Sequence, residues 1–317
     1  MVFFKTLKNW DKHCTIKMKK LTAVWELMRL EHGFMLALAI LIGLIITLQS
    51  NDALSFDTFP WKQLILTFFT ALFLEASTFA LNDYYDVEID KKNKRKDRPL
   101  VRGDLQPKTA LYLFFLLFPL GILCSFFVNY TCFIIALITA IFAIIYDVYL
   151  KKIKLLGNFY IAYTMAIPFV FGAAAIKQNS SDLIQINLAV IVVAIIAFFS
   201  GSGREIMKDV MDFEGDKSSG VKSFPRYIGI RKSNILAAMF YFMAVILSVF
   251  PFLFIQFGVY HSNYVYLFLI ILTDIIFILT AIQLLINSHM DMARYRKLTL
   301  LGLFFGLLGF FLGAFIG

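Results

Sequence analysis

Long apolar runs alternate with short polar joints along the whole chain. Nine runs are each about long enough to cross ~30 Å of hydrocarbon, near 25–49, 61–83, 109–128, 130–149, 156–176, 183–206, 233–257, 262–287 and 298–316. Little more than Asn129 separates the third run from the fourth, so a tight turn is predicted there. Pro119, Pro168 and Pro251 fall inside runs and predict kinks. The pattern predicts an all-α polytopic membrane protein of about nine transmembrane helices. Residues 1–24 are expected to be a basic cytoplasmic segment, and 25–317 one transmembrane domain.

Composition agrees with the pattern. Of 317 residues, 60% are hydrophobic and only 16% charged, far from a soluble domain. Mean hydropathy is +0.78. The net charge of +9 raises the question of a nucleic-acid partner, but its distribution answers it. Of the 30 lysines and arginines, 28 fall in the N-terminal segment and in every second joint; only Lys62 and Lys177 fall in the others. With nine crossings, the basic joints all land on one side. By the positive-inside rule that side is cytoplasmic, with the N-terminus inside and the C-terminus outside. The charge is a topology signal, and no nucleic acid is expected as a partner. No protein partner is evident either. The lysines of the first 24 residues, set among Phe3, Phe4, Leu7 and Trp10, make either a solvated tail or a segment lying on anionic lipid. Cys14, Cys124 and Cys132 have no paired metal spacing. Glycines spaced along the last run, Gly302, Gly306, Gly309 and Gly313 among them, predict close helix packing.

Two acidic stretches carry the chemistry. Asn82-Asp-Tyr-Tyr-Asp86-Val-Glu-Ile-Asp90 closes the second run. Arg204-Glu-Ile-Met-Lys208-Asp209-Val-Met-Asp212-Phe-Glu-Gly-Asp216 closes the sixth. Asn82, Asp86 and Asp90 recur every four residues, as do Asp212 and Asp216, with Asp209 about a turn earlier. On a helix that spacing aligns oxygens on one face. Stacked like charges need a cation between them, and oxygen-only donors favour Mg²⁺. Asp83 points off this face, as a structural hydrogen-bonding partner. The two halves look like a loose internal repeat of helix pair, acidic stretch and basic loop. Carboxylates that begin inside a span are costly unless paired or metal-bound, and so are functional by default. The basic neighbours Arg98, Lys151, Arg204 and Lys208 fit a polyanion that completes the metal's shell. A phosphate or diphosphate with an apolar remainder is implied, and a polyprenyl diphosphate meets both demands. A transporter would instead place its ionisable groups near the bilayer midplane.

Asn-Asp-x-x-Asp-x-x-x-Asp at 82–90, Arg98-Pro99-Leu100, and Asp212-x-x-x-Asp216 on nine helices resemble the UbiA superfamily of intramembrane prenyltransferases. The resemblance runs from Arg29-Leu30-Glu31-His32 to the last span. It implies helices around a central chamber open laterally to lipid. It implies Mg²⁺, two ions, held by Asn82, Asp86 and Asp90 with Asp209, Asp212 and Asp216. It places Tyr146 and Lys151 in the family's Tyr-…-Lys element, and Arg29 and His32 near diphosphate or acceptor. The implied reaction transfers a prenyl group, geranylgeranyl as the best expectation, from its diphosphate to a membrane-associated acceptor. The second stretch resembles the archaeal branch, which alkylates a glycerol-phosphate lipid hydroxyl, so geranylgeranylglyceryl phosphate is the first expectation. Arg-Leu-Glu-His at 29–32 resembles the aromatic-acid branch, so an aromatic quinone precursor such as 4-hydroxybenzoate stays open.

Overall fold

Between Trp61 and Lys92 the chain has neither Gly nor Pro, so nothing stops the second apolar run where its hydrophobicity ends. In the computed structural model this stretch is one helix of 32 residues, α3, about 48 Å long at 1.5 Å per residue. It outruns the hydrocarbon and carries Asn82, Asp86 and Asp90 on its last turns. The structure describes residues 18–30, 33–51, 53–92, 94–176, 186–218, 220–286 and 291–316. Among them nine helices are long and apolar enough to span a membrane. Besides α3 these are α2 (Gly33–Ser50), α5 (Pro107–Val128), α6 (Tyr130–Val148), α7 (Lys154–Ala174), α8 (Leu188–Met211), α10 (Phe224–Leu253), α11 (Tyr264–Ile286) and α12 (Met292–Ile316). Three shorter helices lie beside them: α1 over 18–28, α4 (Pro99–Arg102) and α9 (Phe213–Ser218).

Besides the extension of α3 to Lys92 and the start of α12 at Met292, three boundaries differ from the sequence expectation. The first run is not one helix from 25. The chain breaks at Arg29, whose φ of 49° is left-handed, and the span begins at Gly33. The sixth span continues to Met211, so Asp209 is still helical and Asp212 caps the helix. α10 starts early at Phe224 but is interrupted at Gly229 (φ 79°, ψ 161°), the αL side of the map that glycine adopts freely. The tight turn at Asn129 is present. Its side chain accepts from the Cys132 N–H at 2.8 Å and donates to the Ala174 carbonyl at 2.8 Å. Pro119, Pro168 and Pro251 all lie inside helices. Residues 1–17, Glu31-His32, Lys177 and Gly317 lie outside the described residues.

The spans pack in order around the molecule. α3 lies on α5, α5 on α6, α7 on α8, α8 on α10, α10 on α11, α11 on α12, and α12 closes against α2. The largest core joins α2, α7, α8 and α12 through Ile42, Ile46, Phe169, Val193 and Phe310. The α12 glycines face α11: a Cβ on Gly302 would meet Phe277, and one on Gly313 would meet Tyr266. α2 and α7 approach more closely still. A Cβ on Gly43 would stand 1.9 Å from the Phe169 carbonyl oxygen, and one on Gly172 2.0 Å from that of Ile40. Both obstacles are backbone, so no side chain can give way. Asp274, deep in α11, accepts the Ser248 hydroxyl at 2.8 Å, and Tyr266 donates to the Ser248 carbonyl at 2.6 Å. Gly43→Val and Gly172→Val should each cost about 3 kcal/mol, the upper range for overpacking. Loss of thermal stability in detergent checks this, with exposed Gly215, where a Cβ meets nothing within 4 Å, as the neutral control.

Candidate active site

The site forms where α3 and α8 emerge from the spans. Asn82 and Asp86, one turn apart, face Asp147 and Lys151, also four residues apart. Asn82 donates to Asp147 Oδ1 at 2.9 Å, and Lys151 pairs with Asp86. The second cluster repeats the device. Asn158 donates to Asp209 Oδ2 at 2.7 Å, and Lys154 binds Asp216 at 2.6 Å and Asp209 at 3.4 Å. Each acidic stretch thus meets one amide–carboxylate bond and one lysine. The supporting residues all come from α6, α7 and the short turn between them. That turn also forms a parallel bridge from Ile153 to Lys222, beyond α9.

Tyr146 precedes Asp147 on α6. It stacks on Tyr160 with ring centroids 4.8 Å apart, and the charges of Glu205, Asp147, Asp86 and Asp209 all act on it.

The loop after α3 supplies guanidinium groups. Arg98 precedes Pro99, which disfavours a helical conformation, and its backbone is extended (φ −94°, ψ 125°). Its side chain returns to Asp83 at 3.2 Å and Asp90 at 3.8 Å. Gly103, at φ 79°, ends α4 by donating to the Pro99 carbonyl. Arg29 binds the same Asp83 at 2.7 Å and lies over the Phe79 ring at 4.4 Å. A left-handed non-glycine residue costs roughly 1 kcal/mol or more, and the contacts to Asp83 and Phe79 hold Arg29 there. Burial lowers the Arg29 pKa, with Asp83 opposing. Farther along, two hydrogen bonds from Arg95 hold the Asp97 carboxyl down at about 2, so that pair stays ionised at neutral pH.

The expected residues fall into groups. Asn82, Asp86 and Lys151 come together, as do Asp209, Asp216 and the α6–α7 turn. Asp83 is the hydrogen-bonding partner expected. Asp90, one turn beyond Asp86 on α3, pairs with Arg98 at 3.8 Å. Arg204 and Lys208 are drawn to Glu205, at 3.7 and 2.6 Å. Asp212 caps α8, its N–H bonded to the Lys208 carbonyl at 3.0 Å. His32 lies outside the described residues. Among those residues, no three Asp, Glu, His or Cys side chains gather closely enough to hold a metal ion; two ammonium groups sit on the carboxylates instead. Asp83 Oδ2 and Asp147 Oδ2 are buried with no hydrogen-bond partner. Oxygen-only donors, orphaned carboxylate oxygens and lysines seated where a cation would go fit a hard divalent ion. Four site residues escaped the motif search: Asp147, Lys154, Asn158 and Glu205. The first three repeat the four-residue spacing, as 147/151 and 154/158, and that spacing was the available signal.

Residues 36–308 match the UbiA prenyltransferase family, and the chain belongs to it: this is an integral membrane enzyme of the prenyltransferase class. Among its relatives, the digeranylgeranylglyceryl phosphate synthase of Archaeoglobus fulgidus is 41% identical over 296 residues, covering 93% of this chain and 96% of that one. A solved structure of a digeranylgeranylglyceryl phosphate synthase is 33% identical, with a TM-score of 0.75 over 94% of this chain and 99% of the other. A UbiA homologue from Archaeoglobus fulgidus, solved with DMAPP and Mg²⁺, shares the fold at 18% identity and a TM-score of 0.55, covering 90% and 98%.

Lys154→Met should cost about 3 kcal/mol, because it strands the buried carboxylate of Asp209. Adding Asp209→Asn should return at least ~1 kcal/mol, a coupling that a double-mutant cycle of unfolding free energies measures.

Proposed function

We propose that the protein transfers a geranylgeranyl group from its diphosphate to the free hydroxyl of geranylgeranylglyceryl phosphate. The observation that carries this reading is the 41% identity, over nearly the whole of both chains, to a digeranylgeranylglyceryl phosphate synthase. The residues supply what such a transfer needs. The C–O bond between the prenyl carbon and the diphosphate breaks, and the acceptor oxygen bonds that carbon while its proton passes to the departing diphosphate. Negative charge collects on the departing diphosphate, and Lys151, Arg98, Arg29, Lys208 and Arg204 are placed at the cytoplasmic helix ends to receive it. Positive charge develops on the prenyl carbon, where an aromatic face such as that of Tyr146 stabilises it. Water is kept out by the surrounding spans.

Two Mg²⁺ ions would be held by Asn82, Asp86 and Asp90 and by Asp209, Asp212 and Asp216. Bound there, they would neutralise the diphosphate. The Mg²⁺ bound with DMAPP in the UbiA homologue supports this assignment. By the positive-inside rule, the basic joints support an N-terminus and both acidic stretches in the cytoplasm and a C-terminus outside. Cysteine-accessibility labelling of intact cells should find a cysteine at Lys108 protected and one at Ser262 reactive; the reverse pattern would overturn the orientation.

The purified enzyme should convert geranylgeranyl diphosphate and geranylgeranylglyceryl phosphate to product only with Mg²⁺, and give none with 4-hydroxybenzoate. Asp86→Ala and Asp216→Ala should each lose at least about 100-fold in kcat/KM, close to 3 kcal/mol of transition-state stabilisation. Product from 4-hydroxybenzoate alone would move the acceptor to the aromatic class, and full activity in both variants would remove the carboxylates from the site.

A further inference from the structure

Asp147 lies in neither acidic stretch, yet it is only 4% exposed. Its Oδ1 accepts the Asn82 amide N–H at 2.9 Å. Its Oδ2 is buried with no hydrogen-bond partner. A carboxylate this far from water is expensive unless both oxygens are used, and here one is left over beside the first acidic cluster.

An amide has two faces that differ chemically. By taking the N–H₂ side, Asp147 leaves the Asn82 carbonyl oxygen for a cation. An unrestrained amide would present its N–H₂ group to a cation half the time, and that group repels one. The second cluster makes the same bond with the roles exchanged: Asn158, on the supporting helix, holds Asp209, on the acidic one.

We infer that Asp147 is a positioning residue for the first cation site: its Oδ1 fixes the Asn82 amide with the carbonyl oxygen facing the ion, and its Oδ2 awaits a donor that arrives with the ion, such as metal-bound water. This rests on the proposed Mg²⁺-dependent transfer, and the chemistry it recognises is a hydrated divalent cation. Mg²⁺ keeps several waters when bound, and carboxylates that orient ligands typically matter 10–100-fold for affinity.

The test needs no prenyl substrate. Mn²⁺ is titrated into purified enzyme in detergent, and free Mn²⁺ is read by electron paramagnetic resonance. Wild type is compared with Asp147→Asn and with the exchange variant Asn82→Asp/Asp147→Asn, which rebuilds the bond with donor and acceptor swapped and leaves the charge unchanged. Asp147→Asn should weaken one Mn²⁺ site about tenfold, and the exchange should restore it to within about threefold. Thermal unfolding of the same samples separates a lost site from a lost fold. Wild-type affinity in Asp147→Asn would overturn the inference. So would equal weakening in both variants at unchanged thermal stability, or an unstable Asp147→Asn whose exchange partner regains stability but not affinity. Absence of any Mn²⁺ site in wild type would instead overturn the Mg²⁺ reading on which the inference stands.

Discussion

Carboxylates at the edge of a bilayer must be neutralised, and two lysines meet that demand. Lys151 holds Asp86, and Lys154 holds Asp216 and Asp209. They stand three residues apart on the turn joining α6 to α7. Through these pairs the lysines link the acidic end of α3 to that of α8. The turn's further bridge from Ile153 to Lys222 draws in the segment after α9. A change in this turn reaches both clusters at once, which a change in either acidic stretch does not.

The close contact of α2 and α7 serves the same geometry from below. Gly43 and Gly172 let the two backbones touch, which fixes α7 against the core. α7 begins at Lys154, so its placement sets where that ammonium and Asn158 stand relative to α8. The packing of glycines in mid-membrane thus bears on the spacing of charges at the helix ends that carry the acidic stretches.

Periodicity made most of the fold legible. Runs of apolar residues set the nine spans, and the alternation of Lys and Arg agreed with their number. The four-residue spacing of Asn82, Asp86 and Asp90 marked the first cluster. The break at Arg29 was not legible, because a left-handed residue inside an apolar run depends on a partner 54 residues away. The supporting set was missed for a similar reason. Asp147, Lys154 and Asn158 sit at the ends of α6 and α7, where a lone Asp, Lys or Asn reads as an ordinary helix terminus. Their meaning comes from what lies opposite, which only the packing reveals. Glu205 stood in plain view inside the second stretch, but its pairing with Lys208 and Arg204 diverts two basic groups that the sequence assigned wholly to a ligand.

Charge arithmetic shows why such a site needs a cation before it needs a diphosphate. With every group ionised, the first cluster sets Asp83, Asp86, Asp90 and Asp147 against Arg29, Arg98 and Lys151. The second sets Glu205, Asp209, Asp212 and Asp216 against Lys154, Arg204 and Lys208. Each side is left with a surplus of one negative charge, in surroundings where charge is poorly screened. A prenyl diphosphate brought there alone adds to the repulsion, despite the lysines and arginines nearby. Divalent cations held by the carboxylates would reverse the sign and would leave Lys151 and Lys154 available to phosphate oxygens. Under the proposed function, the same ammonium groups would serve as counter-ions first for the protein's carboxylates and then for the ligand.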